Sequence, residues 1–178
     1  MFVTPYTKKQ KFKRLVFNIV WTLLVRPLPR AILRRWNIFV LRLFGAKIDK
    51  SANVYSSASI SMPENLVMEA GSCLADHTII ASDALVHLKE GAIVSQYSYL
   101  CTSTHDIRNE DFPQFSKPIT IGKGAWLAAR CFIGPGVTIG DKAVVGATSS
   151  VFKDVPENAV VGGNPAKFIK KRYLETDI

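Results

Sequence analysis

The 178-residue chain is 48% hydrophobic and 21% charged, carries a net charge of +9 and has three cysteines. That balance excludes a disordered chain and an integral membrane bundle, and the length suits one domain with a small appendage. The charge is local: residues 1–50 hold twelve Lys/Arg against one acid, Asp49, a net of +11, whereas residues 51–178 hold eleven against thirteen, a net of −2. Such a patch predicts a local anionic partner rather than a generally basic protein. Cys73, Cys101 and Cys131 have no zinc-site spacing. They are expected to be reduced thiols in a cytoplasmic protein, buried as small apolar residues.

Residues 1–46 read as a basic amphipathic helical segment. The apolar run "LVFNIVWTLLV" (15–25) is eleven residues long, short of the about 20 that span a bilayer. "RPLPR" follows it instead of a small-residue cleavage site, which argues against a signal peptide. Pro27 and Pro29 predict the end of a first helix. A second, over about 30–44, places Ile32, Leu33, Trp36, Phe39, Val40, Leu43 and Phe44 toward one side at helical spacing. Arg30, Arg34, Arg35 and Arg42 frame that side, and Gly45 is the stop. Two uses stand open: a cap on the following domain, or a peripheral contact with anionic lipid on the inner face of the plasma membrane. No nucleic-acid-binding motif is present.

Residues 47–160 repeat. From "IGKGAWLAARCFIGPGVTIGDKAVVGATSSVFKDVP" onward, apolar residues fall at Ile121, Leu127, Ile133, Ile139, Val145 and Val151, six apart. Smaller residues follow each by four places: Ala125, Cys131, Val137, Ala143, Ser149 and Val155. Upstream, Ile48, Val54 and Ile60, then Met68, Leu74 and Ile80, then Leu88, Val94 and Leu100 keep the same step, and the frame slips by two at 60–68 and 80–88. A period of six is neither helical nor simply alternating. It fits a short strand and a turn, three of which make one coil of a parallel β-helix, and the chain has material for about five coils. The six-spaced residues point inward, the residue four places on must be small at a corner, and Gly just after the inward residue admits backbone conformations that other residues resist. The pattern breaks at 103–117, a predicted protruding loop that contains His105. Residues 161–178 form a closing segment, with a short helix predicted in "KFIKKRYL".

With "LRLFGAKI" (41–48), "SYLCTSTHD" (98–106), the repeat at 118–156 and "GGNPAKFI" (162–169), the chain resembles the left-handed β-helix hexapeptide acyltransferases. More narrowly, it is similar to the colanic acid biosynthesis acetyltransferase group, near the galactoside and maltose acetyltransferases. The left-handed winding is implied by the resemblance, not by the spacing. The resemblance further implies a homotrimer with sites between subunits, acetyl-CoA as co-substrate, no metal, and a saccharide hydroxyl as acceptor in surface glycan biosynthesis, carried on lipid if the helices meet a membrane. Catalysis falls to His105, released from the packed wall by the loop. An imidazole, with an ordinary pKa of about 6.5, takes the hydroxyl proton as the thioester is attacked. Asp106 is the candidate to orient it. His77 is the candidate acceptor contact. For the donor, backbone groups near Ala129 and Ala147 match pantetheine positions; Lys153, Lys167 and Lys170 match basic positions near the nucleotide phosphates; and Trp126 lines the cleft. Phe152 departs from the family's usual Thr, and Lys167 and Lys170 replace common arginines, so they lack the bidentate fork. His87 is expected to be exposed and structural.

Two other functions remain open on the same fold. A metal-dependent hydratase of the γ-carbonic anhydrase type needs three imidazoles converging on zinc, and the chain has three histidines. A non-catalytic scaffold would make His105 dispensable.

Overall fold

A computed structural model describes residues 6–28 and 34–173. The predicted positions Pro29, Arg30, Ile32 and Leu33 lie outside the described residues. Helix α1 (Lys8–Leu24) begins with a reciprocal cap: the Thr7 hydroxyl accepts the Gln10 amide, and the Gln10 side chain accepts the Thr7 amide. Helix α2 (Arg34–Leu43) ends at Gly45, whose φ of +100° lets the chain turn away without a Cβ penalty.

The prism follows in chain order. Its first coil is β1 (Lys47–Ile48), β2 (Asn53–Val54) and β3 (Ser59–Ile60); its second is β4 (Leu66–Met68), β5 (Cys73–Leu74) and β6 (Ile79–Ala81). The third is β7 (Val86–Leu88), β8 (Ile93–Val94) and β9 (Tyr99–Cys101). After a hairpin of β10 (Ser103–His105) and β11 (Gln114–Ser116), the fourth coil is β12 (Ile119–Ile121), β13 (Trp126–Leu127) and β14 (Phe132–Ile133). The fifth is β15 (Thr138–Ile139), β16 (Val144–Val145) and β17 (Ser150–Val151), and Val155 with β18 (Ala159–Gly162) starts a sixth. Strands stack in parallel into three faces: face A (β1-β4-β7-β12-β15), face B (β2-β5-β8-β13-β16-β18) and face C (β3-β6-β9-β14-β17). The inward side chains of the six-residue frame fill the axis, and every one from Ile48 to Val151 is buried. So are the small corner residues Ala125, Cys131, Ala143 and Ser149.

The glycines after the inward residues serve a different purpose from the one expected. Gly122 and Gly140 do not have positive φ. A Cβ on Gly122 would lie 2.6 Å from the Asp141 amide nitrogen, and one on Gly140 would lie 2.4 Å from that of Glu157. They are needed for room against the next coil. Positive φ is instead used at the corners, by Gly71, Gly91 and Gly124 on one edge and by His77, Tyr97, Arg130 and Thr148 on another.

The two helices close the lower end of the prism. The first coil has no coil beneath it, so some of its carbonyls lack strand partners. Three side chains supply donors, one for each wall. Arg42 donates to the Ile48 carbonyl, Asn37 Nδ2 to Val54 (2.9 Å), and Trp21 Nε1 to Ala58 (3.0 Å), beside β3. These bonds set the rotation of α2 and correct the expected face. Asn37, Ile38, Val40 and Leu41 are buried, whereas Phe39 and Leu43 face solvent.

At the other end, the predicted C-terminal helix is a strand. Gly163 (φ +99°) and Pro165 reverse the chain, and β19 (Lys167–Lys171) pairs antiparallel with β18. The reversal lays this segment along an open sheet edge, where pairing satisfies main-chain groups that a helix would leave uncovered. The cysteine expectation also needs correction. Cys131 is buried, but Cys73 and Cys101 are only half-buried. Each is the residue beside an inward Leu (Leu74, Leu100) and so falls on the outer side of its strand.

Candidate active site

The break in the repeat is an antiparallel hairpin in which Ser103 faces Ser116, Thr104 faces Phe115 and His105 faces Gln114. It leaves the prism between faces C and A, and its base is closed where the Lys117 amide donates to the Thr102 carbonyl (2.9 Å). Thr102 is buried and its hydroxyl donates to the Ala81 carbonyl (2.7 Å), clamping the base to the coil below. At the exposed end, His105 Nδ1 lies 2.6 Å from the carbonyl oxygen of Phe112, a residue held at φ +45°. A carbonyl only accepts, so Nδ1 carries the proton and donates it. Nε2 is then the atom with a lone pair, the arrangement that a general base needs.

Asp83 is the residue that the sequence reading missed. Directly paired residues share a hairpin face, so Ser103, His105, Gln114 and Ser116 lie on the same side. The Asp83 carboxylate accepts from the Ser103 hydroxyl and from Gln114 Nε2 (3.3 Å), one contact on each hairpin strand. Its other oxygen accepts the hydroxyl of Tyr6. Partial burial and the neighbouring carboxylate push the Tyr6 phenol up to about 12. The available signal for Asp83 was the slip in frame at 80–88, where a residue leaves the repeat without being needed by the core.

Asp106 does not make the contact expected of it. Its carboxylate accepts from Arg108 Nε (3.0 Å), Nη2 (3.1 Å) and the Arg108 amide (3.1 Å), which hold the carboxyl below its usual range. Neighbours on a strand point to opposite sides, and the orienting contact to the imidazole comes from the Phe112 carbonyl instead. His77 sits at the corner between faces B and C, a different corner from the hairpin. Its ring stacks on Tyr97 (5.0 Å between centroids), over which Arg130 lies in turn. His87 lies on face A, half-buried, with Nε2 2.7 Å from Glu69 Oε1. The three imidazoles therefore stand on a corner, a face and a hairpin, and the described residues hold no group of three His, Cys, Asp or Glu able to share a metal.

The donor candidates partly align. Ala129 and Ala147 immediately precede the positive-φ residues Arg130 and Thr148, so they stack on successive coils at the B–C corner. The Ala129 carbonyl accepts the Thr148 amide (2.9 Å). Trp126 is on the outer side of face B, with Nε1 donating to the Ser95 hydroxyl (2.9 Å). Lys167 and Lys170 lie exposed on β19, which extends face B. Lys153 is exposed beyond the end of face C, on a different corner. Phe152 packs on Phe132, which meets Tyr99, forming an aromatic ladder up face C.

Residues 118–153 match the family model described as bacterial transferase hexapeptide (six repeats). The chain is 43% identical over 146 residues to the putative colanic acid biosynthesis acetyltransferase WcaF of Escherichia coli (strain K12), covering 82% of this chain and 80% of that protein. Among solved structures it resembles a maltose O-acetyltransferase from Clostridium difficile 630 (TM-score 0.83, 25% identity, 94% of this chain and 90% of that one). It resembles equally a galactoside acetyltransferase in complex with coenzyme A (TM-score 0.83, 25% identity, 96% and 86%).

Proposed function

The chain belongs to the hexapeptide-repeat acetyltransferase family, and on that premise we propose that it moves an acetyl group from acetyl-CoA to a hydroxyl of a saccharide in surface glycan biosynthesis. The observation that carries this reading is the imidazole of His105, held out on a hairpin with Nδ1–H tied to a carbonyl and Nε2 turned to its lone pair. The acceptor hydroxyl gives its proton to Nε2 as its oxygen attacks the thioester carbonyl carbon. The tetrahedral intermediate then expels the CoA sulfur, which takes the proton back from Nε2. No net proton is gained or lost, and the imidazole ends in the tautomer in which it began.

The acceptor's place is the hairpin face shared by His105, Ser103 and Gln114. The donor's place is the B–C corner, where Ala129 and Ala147 offer backbone groups to the pantetheine and Lys167 and Lys170 offer charge to the phosphates. Within one chain the hairpin and this column stand on different corners, which supports a site completed between neighbouring chains. The outer sides of the walls support it too. Face B presents Ile93, Trp126 and Val144, and face C presents Ile79, Tyr99 and Phe132, whereas face A presents His87, Thr120 and Thr138. A homotrimer covers the two apolar walls and leaves the polar one to water. His77 and Trp126 line that junction as acceptor and donor contacts.

The test is thioester consumption with acetyl-CoA against a panel of soluble sugars. His105→Ala is expected to lower kcat by about 10²–10⁴-fold without loss of fold. Unchanged turnover in that variant would remove His105 from the chemistry, and no thioester consumption by the wild type with any of the sugars would leave only a β-helix scaffold.

A further inference from the structure

We propose that the outward side of the two N-terminal helices seats the protein in the surface of an anionic lipid bilayer. Along α1, Phe12, Leu15, Ile19 and Leu23 are 69%, 57%, 50% and 66% exposed. Their spacing of three, four and four puts them on one side of the helix. The opposite side, Phe17, Trp21 and Val25, is buried against the first coil. Capping the prism therefore accounts for one side of α1 and leaves the other apolar and uncovered. Helix α2 does the same, burying Ile38 and Leu41 while exposing Phe39 and Leu43. The two exposed sets adjoin: Trp36 stacks on Phe39 (5.6 Å) and donates its Nε1 to the Leu24 carbonyl at the end of α1 (2.9 Å).

Charge selects the occupant. The two helices carry eight Lys/Arg and no acid. Lys8 and Lys11 are exposed one turn ahead of Phe12 and Leu15 and continue their stripe, and exposed Arg26 lies just past its far end. Two copies of such a surface repel each other, whereas anionic headgroups attract it while the stripe enters the acyl boundary. No described helix is long and apolar enough to cross a membrane, so the helices lie along the interface. The seat also bears on the site. Tyr6, next to the cap of α1, donates to Asp83, the carboxylate that holds the His105 hairpin, so the start of the seated helix and the imidazole-bearing hairpin share one anchor. An acceptor saccharide carried on lipid would meet the base at the membrane surface.

The experiment is sedimentation of the full chain with vesicles of phosphatidylglycerol and phosphatidylcholine, or of phosphatidylcholine alone. The protein is expected to bind the anionic vesicles about tenfold or more tightly, with affinity falling as salt rises. Ile19→Ser with Leu23→Ser, and separately Lys8→Glu with Lys11→Glu, are each expected to lose about tenfold in binding while transfer to a soluble sugar is unchanged. The charge-reversed pair leaves the apolar stripe alone and decides the matter if the serine pair does not fold. Absence of binding to anionic vesicles, equal binding to both vesicle types, or full binding by the folded variants would overturn the proposal. A fall in oligomeric mass in the serine pair would also overturn it, because the stripe would then be a contact between copies. His105→Ala is expected to bind vesicles normally, so failure of the catalytic reading and failure of this one are separable.

Discussion

The Phe112 carbonyl does for His105 what an orienting carboxylate does in many hydrolytic sites, but without adding charge. It fixes the tautomer and the ring direction through a backbone atom, whose position depends on the hairpin's shape. Asp83 holds that shape through Ser103 and Gln114. Asp83→Ala is therefore expected to reduce kcat about tenfold, because a displacement of about 1 Å in a reacting group is costly. Steady-state kinetics check this, and wild-type kcat in the variant would remove Asp83 from the positioning of His105. Tyr6 supplies a second test. Its phenol is raised from the ordinary 10 to about 12, so below pH 10 it is protonated both folded and unfolded. Between pH 10 and about 12 the unfolded chain loses that proton while the folded one keeps it, so its contribution to stability falls as pH rises through this window. Thermal melts in that range are expected to show a smaller loss for Tyr6→Phe than for the wild type.

At the scale of elements, the helical cap works by matching donors to a ring of carbonyls. Apolar packing of Phe17, Trp21, Val25 and Leu41 supplies contact area. Trp21, Asn37 and Arg42 choose the rotation. Trp21→Phe keeps an aromatic ring but leaves the Ala58 carbonyl without its donor. A loss of about 1–3 kcal/mol is expected, the cost of a buried unsatisfied acceptor, as measured by denaturant unfolding. The hairpin shows the converse. Its strands pair with each other and not with the prism, so it can be carried outward without disturbing the stack.

For the whole molecule, the contrast between an apolar B–C side and a polar A side predicts assembly. Light scattering is expected to give about three times the 19.7 kDa chain mass. Phe132→Asp, which puts a charge in the middle of the aromatic ladder, is expected to shift the mass toward the monomer and to reduce activity with it, since the proposed base and the proposed donor column lie on different corners. A trimer unaffected by that change would move the interface elsewhere.

The division between what was legible in the chain and what was not follows from how each feature is encoded. The stack was legible because an inward residue every six places is a local rule: each coil repeats the same burial requirement, from Ile48 to Val151. His105 was legible as an interruption of that rule. Asp83 was not, because its partners Tyr6, Ser103 and Gln114 are 77, 20 and 31 residues away and no periodicity relates them. Nor was the exposed side of α2, because Phe39 and Leu43 suit a buried stripe equally well until Asn37 is drawn to the Val54 carbonyl. "KFIKKRYL" suits a helix on local grounds, and the open edge of β18 makes Lys167–Lys171 a strand. The sequence by itself determined the repeated local fit of side chains to an axis; tertiary structure alone decided which polar groups met across the chain, because those meetings depend on where unpaired carbonyls and open edges are left once the stack has formed.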